Sequence, residues 1–205
     1  MQPDITIHQG FPDALRQDAA ALYDAAFGPK LAIGIPDDAR RLAVLQQGID
    51  PRFALAATSN GRLAGIAGFK TSAGAFTGDI SFGLLRTQTG LGGALRAALI
   101  FSLFERKPAP EQLLMDGIAV APEMRGQGVG TRLLRQLMVY GRDAGYHTLR
   151  LDVIDINPAA RRLYERVGFV AVRTERFPAL KWLLGFAAAT EMHYDLRKFR
   201  EENAQ

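Results

Sequence analysis

Three segments in the second half of the chain constrain the fold most: an apolar run at residues 113–120, a helical pattern at 131–144 and an alternating run at 148–153. The middle segment sets Leu133, Leu134, Leu137, Met138 and Gly141 on one face and ends on Gly145, a residue suited to the left-handed cap that closes many helices. In the third, Leu149, Leu151 and Val153 alternate with Thr148, Arg150 and Asp152, the period of a strand buried on one side. Strand, helix and strand in this order imply a parallel pair joined by a right-handed crossover.

The first two segments are joined through Arg125-Gly126-Gln127-Gly128-Val129-Gly130. A glycine-rich loop running into a helix exposes backbone N–H groups with no side chains over them, and the helix terminus adds partial positive charge. That combination can seat a pyrophosphate. A dinucleotide fingerprint would need glycine where Thr131 stands, a strand nearer the start and a suitably placed acidic residue; a P-loop would need Gly-Lys-Ser/Thr. Both are excluded.

At 205 residues one domain, 1–205, is expected, and 48% hydrophobic with 22% charged residues belongs to ordinary soluble globular chains. The net charge of +4 is dispersed, which suits an anionic ligand and does not imply nucleic acid. The absence of cysteine excludes disulfides, a thiolate nucleophile and cysteine-ligated metal. His8, His147 and His193 lack ligand spacing, so no metal is expected. No basic-then-apolar leader is readable, and a cytoplasmic location is expected. Residues 91–104 contain Arg96 and fall well short of the ~20 residues of a membrane span, so they read as a buried or interfacial helix, with no stable membrane insertion.

Elsewhere, residues 5–7 read as a first strand and 13–27 as a helix stopped by Gly28-Pro29, followed by a mobile apolar loop at 30–35 and a second helix from Pro36-Asp37 to Gly48. Asn60-Gly61 between apolar runs at 53–57 and 63–70 signals a hairpin. Residues 71–110 read as an insertion between strands three and four, helical over 91–104. Asn157-Pro158 opens a helix with Ala160, Leu163, Tyr164 and Val167 inward and Gly168 as its end. Strands follow at 169–173 and 188–196 around an apolar segment at 177–186, and 197–205 reads as a flexible tail.

The stretch Val120-Ala121-Pro122-Glu123-Met124-Arg125-Gly126-Gln127-Gly128-Val129-Gly130 resembles the central motif of the GNAT N-acetyltransferase superfamily, Val-x-Pro-x-x-Arg-Gly-x-Gly-x-Gly. Asn157-Pro158-Ala159-Ala160-Arg161-Arg162-Leu163-Tyr164-Glu165-Arg166-Val167-Gly168-Phe169 is similar to that family's later Asn-x-x-Ala-x-x-Leu-Tyr-x-x-x-Gly-Phe segment. The resemblance covers residues 114–169 by motif, and 1–70 with 111–196 by element order. It implies a mixed α/β fold: a twisted, mostly antiparallel sheet with one splayed parallel pair and helices on both faces.

It also implies acetyl-CoA as cofactor. The backbone of Ile118, Ala119 and Val120 would pair with the pantetheine arm, and Arg125, Gly126, Gln127, Gly128, Val129 and Gly130 would cradle the pyrophosphate, with Thr131 at the helix start. Asn157 has two readings, helix cap or cofactor contact. Tyr164 at the family position points to the cofactor sulfur, although on its helix stripe it also reads as a core tyrosine; a phenol of reference pKa ~10 can protonate a departing thiolate. An oxyanion donor is implied in a backbone N–H near Ile118 or Ala119. Asp116 is the first candidate for general base, ahead of Glu123 and Glu105. Arg132, Arg135, Arg161, Arg162 and Arg166 form a basic collar near the nucleotide end.

The implied reaction is direct transfer of acetyl from acetyl-CoA to a primary amine of a small molecule or peptide, in a ternary complex. Residues 30–35, 71–110 and 177–186 would close the acceptor side. Their Phe76, Phe82, Leu84, Leu85, Phe101, Trp182, Leu183 and Phe186 favour an apolar or amphipathic acceptor; alternatively these segments pack together or form a homodimer interface. A non-catalytic acyl-CoA-binding regulatory module is the rival of a different class.

Overall fold

A computed structural model describes residues 4–199. Its elements are β1 (Thr6–Gln9), α1 (Arg16–Leu31), α2 (Asp38–Gly48), β2 (Ala54–Ser59), β3 (Arg62–Thr71), β4 (Gly74–Ala75), α3 (Phe82–Phe104), β5 (Gln112–Val120), α4 (Val129–Asp143), β6 (Thr148–Ile154), α5 (Pro158–Val167), β7 (Val170–Arg176), α6 (Lys181–Leu184) and β8 (Ala188–Asp195). The strands form one sheet in the order β1-β2-β3-β5-β6-β8-β7, with β4 on the end of β3. Every pairing is antiparallel except β5 with β6.

The strongest local signals give the elements they predict. Asn60 (φ 50°) and Gly61 (φ 73°) carry the left-handed turn that joins β2 to β3. Asn157 caps α5, its side-chain oxygen accepting from the Ala160 N–H at 3.1 Å, and Gly168 at φ 107° ends it.

Leu133, Leu134, Leu137 and Met138 of α4 are buried with Leu113, Met115, Leu149, Leu151 and Tyr164 on one face of the sheet. On the opposite face Ala19, Ala20 and Tyr23 of α1 and Leu45 of α2 pack on Ala54, Ile66 and Ala119. The sheet is therefore covered by α4 and α5 on one side and by α1 and α2 on the other.

Four expectations need correction. First, α1 does not stop at Gly28-Pro29 but runs to Leu31. Pro29 withdraws one N–H, yet Gly28 has no Cβ to meet its ring, and the Ala32 N–H still bonds the Gly28 carbonyl at 2.7 Å. Second, residues 32–35 are no mobile loop: the Gly34 and Ile35 N–H groups both bond the Leu31 carbonyl, and Ile35 is buried.

Third, the 71–110 segment holds more helix than expected: a helical run opens at Phe82, capped by Ser81, whose hydroxyl accepts from the Leu84 N–H. The non-helical Gly90 (φ 73°) separates it from the expected helix over 91–104. Its inward face is made of small residues, Ala94 and Ala97, with Ile100, while Leu91, Leu95, Leu99 and Leu103 are exposed. Burial is thus confined to one side of this helix, whose close approach to the turn after α1 would be blocked by a Cβ on Gly34, 2.9 Å from the Phe101 ring. Fourth, the start of the expected tail at 197–205 is docked: Phe199 is buried beside α4, next to Leu196. Among the described residues no helix is long and apolar enough to cross a membrane.

Candidate active site

The sheet opens at one place. The parallel β5–β6 ladder holds for Gln112↔Thr148, Leu113↔Leu149 and Leu114↔Arg150 and then ends, although β5 continues to Val120. From Met115 onward β5 pairs only with β3, so the backbone edge of Ile118, Ala119 and Val120 that faces β6 has no strand against it. At the far end of that edge lies the glycine loop.

Gly126 (φ 75°) and Gly128 (φ 81°) have the left-handed backbone that disfavours any side chain, with open space around both. The side chains of Arg125 and Gln127 turn back on their own segment: Nε of Arg125 donates to the Val120 carbonyl at 3.2 Å, and Nε2 of Gln127 to the Glu123 carbonyl at 2.7 Å. They brace the loop. The cap residue of α4 is Gly128, which has no side chain, whereas α2, α3 and α5 each start on a side-chain cap. The N–H of Arg132 makes the first intrahelical bond, to the Gly128 carbonyl. The preceding N–H groups, of Val129, Gly130 and Thr131, thus lie in the first turn, where an α-helix offers them no acceptor. This is an arrangement that fits a diphosphate.

A cavity of about 400 Å³ adjoins this turn, bordered by Thr131, Arg135, Leu163, Arg166, Tyr194 and Phe199. Of the basic collar, Arg132 is committed to the Ile5 carbonyl at 2.8 Å and Arg161 to Glu165 at 2.8 Å. The Asn157 oxygen is likewise used in capping, which leaves its amide nitrogen as the donor available for a ligand.

Tyr164 and Asp116 stand on opposite faces of the sheet. Tyr164 is 5% exposed, tilted against Phe169 among the α4–α5 core, and burial pushes its phenol well above the ordinary tyrosine value. It is therefore neutral at any physiological pH. Asp116 occupies a bulge: Gly68 pairs with Gly117 and Phe69 with Met115, so Asp116 has no partner across β3. Both Asp116 and Gly117 then face α1, where a Cβ on Gly117 would meet Phe27 and Tyr23. The Thr77 hydroxyl donates to Oδ2 of Asp116 at 2.8 Å. Burial raises the Asp116 carboxyl above the usual range, against the opposing pull of the Thr77 hydrogen bond and of Lys70 and Lys30.

Sequence reasoning missed most of the wall around Asp116. Lys70 pairs with Glu105 at 2.5 Å, Arg106 with Glu175 at 3.3 Å and with Asp152 at 3.7 Å, and Arg150 with Asp152 and Glu191, each at 3.3 Å. His193 meets Glu191 at 2.6 Å. The alternation of β6 did announce Arg150 and Asp152 on the face away from the core. No periodicity announced Thr77, Glu105 or Arg106. Lys30, expected in a loop, sits in the last turn of α1 with Nζ 4.3 Å from the centre of the Phe104 ring.

The apolar acceptor lining is not assembled. Phe76 fills the core beside Tyr23, Leu85 of α3 is buried in a cluster with Ile35 and Val44, Phe186 is buried against Phe104, and Phe82 and Trp182 are exposed. The side chain of Leu183 lies outside the described residues.

The profile of the acetyltransferase (GNAT) family matches residues 19–169. The chain belongs to that family. It is 38% identical over 72 residues to a probable N-acetyltransferase camello of Xenopus tropicalis, covering 35% of this chain and 33% of that one. It is also 38% identical over 56 residues to the thialysine N-epsilon-acetyltransferase of Bos taurus, covering 27% and 33%. The matched stretch thus spans about a third of those relatives. Among solved structures, an N-acetyltransferase of Staphylococcus aureus Mu50 superposes with a TM-score of 0.60 at 17% identity, covering 94% of this chain and 99% of the other. A Salmonella typhimurium protein solved with its cofactor acetyl-CoA gives 0.58 at 19%, covering 95% of each. These likenesses establish the mixed α/β fold with its mostly antiparallel sheet and parallel β5–β6 pair.

Proposed function

We propose that the protein is an N-acetyltransferase that moves the acetyl group of acetyl-CoA to a primary amine by direct attack within a ternary complex. The observation that carries this reading is the opening between β5 and β6, which joins the uncapped start of α4 to two ionisable groups on opposite faces of the sheet.

Acetyl-CoA supplies an activated acyl group and a thiolate leaving group. Val129, Gly130 and Thr131 would hold its pyrophosphate through backbone N–H groups, with Arg125, Gly126, Gln127 and Gly128 shaping the seat. The free backbone edge of Ile118, Ala119 and Val120 would pair with the pantetheine arm as a neighbouring strand would. The Asn157 amide nitrogen would add a contact, and Arg135 and Arg166 would border the nucleotide end. Asp116, reached from the α1 face, takes a proton from the amine as the new N–C bond forms. On the α5 face, Tyr164 hands its proton to the sulfur as the C–S bond breaks. Solvent then restores both groups.

Incubation with acetyl-CoA and a panel of amines, read as free thiol, tests the reading. Release that depends on amine and falls in Tyr164→Phe supports it. Tight CoA binding without thiol release from any amine, and with Tyr164→Phe indistinguishable from the parent, would instead indicate a non-catalytic acyl-CoA-binding module.

A further inference from the structure

Of the charged side chains that form the wall facing α1 and the loop after α3, two have no ion-pair partner within 4 Å among the described residues, and they are of opposite sign. Lys70, Arg106 and Arg150 are matched by Glu105, Asp152, Glu175 and Glu191, and Arg173 by Glu175. Asp116 has the Thr77 hydroxyl and no cation at bonding distance. Lys30 has the face of Phe104 and no carboxylate. Burial lowers the proton affinity of this lysine, whereas the charge of Asp116 acts to raise it, so the two groups share a field without touching. A desolvated ammonium against a π face alone lacks most of the stabilisation that an ion pair would give it.

Resting on the acetyl-transfer reading above, we propose that the acceptor is a small amino carboxylic acid, whose amine is delivered to Asp116 while its carboxylate is received by Lys30. The wall argues against the alternatives. A polyamine needs a second carboxylate, and Glu105, Asp152, Glu175 and Glu191 are already engaged. An apolar amine would have to desolvate a charged surface without returning anything to it. A zwitterion supplies one charge of each sign to the two groups that lack them.

The test compares acceptors that differ only in the carboxylate: lysine with cadaverine, phenylalanine with phenethylamine, and methionine with its decarboxylated amine. Thiol release gives kcat/KM for each, in the parent, Lys30→Met and Lys30→Arg. The amino acid should exceed its amine by roughly tenfold or more in the parent, Lys30→Met should collapse that ratio through KM, and Lys30→Arg should restore part of it. An equal loss for acid and amine in Lys30→Met, or a parent preference for the decarboxylated amines, overturns the inference while acetyl transfer stands. If nothing releases thiol, the transfer reading fails, and calorimetry in the presence of CoA still decides the carboxylate preference. Binding of the acids over the amines, lost in Lys30→Met, upholds it, and no preference sinks it.

Discussion

Asp116 is placed where its chemistry and the stability of the fold pull in opposite directions. Because burial raises its pKa in the folded protein, the protonated form is favoured there, and the stability it contributes is fully present below the unfolded pKa and lost as pH rises through the folded one. At neutral pH the ionised carboxylate is therefore a net cost to the fold. Asp116→Asn, which keeps an oxygen for the Thr77 hydroxyl, should raise the melting temperature while lowering kcat by about 10²-fold, both readable on the same preparation. A variant that melts lower would show that ionised Asp116 is no cost to the fold, and one that keeps full activity that Asp116 is not the base. In the parent, kcat at saturating acceptor should fall on acidification earlier than for an exposed aspartate. Thr77→Val removes a hydrogen bond that holds this pKa down, so it should move that limb to still higher pH. Tyr164→Phe offers the complementary test. The ring fills the same place against Phe169, so circular dichroism should be unaltered while kcat drops by about 10²-fold.

At the scale of elements, the glycine loop works by backbone conformation. Gly128→Ala places a Cβ on a residue at φ 81°, which costs roughly 1–2 kcal/mol, and raises KM for acetyl-CoA more than KM for the acceptor. Equal changes in the two constants would point to general loosening instead. A buried cation holds α1 and α2 together. Arg41, 6% exposed, reaches from α2 to Asp24 on α1 through two hydrogen bonds of 2.6 and 3.1 Å, and to Asp38 at 2.9 Å. Asp24→Ala removes two of the hydrogen bonds of this buried cation and leaves it the exposed Asp38 carboxylate and the Ile35 carbonyl, so it should lower the urea-unfolding free energy by about 1.5–3 kcal/mol. A loss below 1 kcal/mol would mean that the arginine finds water. Elements whose signals are local were legible in the sequence: the Asn60-Gly61 turn, the Asn157 cap and the inward stripes of α4 and α5. Those decided by distant neighbours were not. Beyond Gly90, α3 buries Ala94 and Ala97 rather than Leu91, Leu95, Leu99 and Leu103 because the turn at Gly34 lies against it. The same reason hid the charged wall, since Lys30, Lys70, Arg106 and Arg150 come from α1, β3, the loop after α3 and β6 and meet only once the sheet is built.

For the molecule as a whole, one core under α4 runs beneath both halves of the sheet, and on its other face the two halves divided by the opening between β5 and β6 differ. The β1-β2-β3-β5 half has α1 and α2 on one side and α4 on the other. In the β6-β8-β7 half, α4 and α5 pack on one face, and on the other the charges of Arg150, Asp152, Glu175 and Glu191 lie beside Arg106. Beyond Leu114↔Arg150 the halves have no hydrogen-bond ladder between them. A ligand whose backbone-like arm fills that gap would therefore stabilise the folded protein as well as react. With CoA at a hundred times its dissociation constant the gain is about 2.7 kcal/mol, which for a chain of this size corresponds to an upward shift in melting temperature of roughly 5–10 °C. Differential scanning fluorimetry with CoA, with its 3′-dephospho form and with pantetheine alone separates the contributions. CoA should give the full shift, pantetheine a small one, and Gly128→Ala should reduce the CoA shift without abolishing it. If pantetheine alone matched CoA, the start of α4 would not be the seat of the pyrophosphate. If none of the three moved the transition, the gap between the two halves would not be a cofactor cleft.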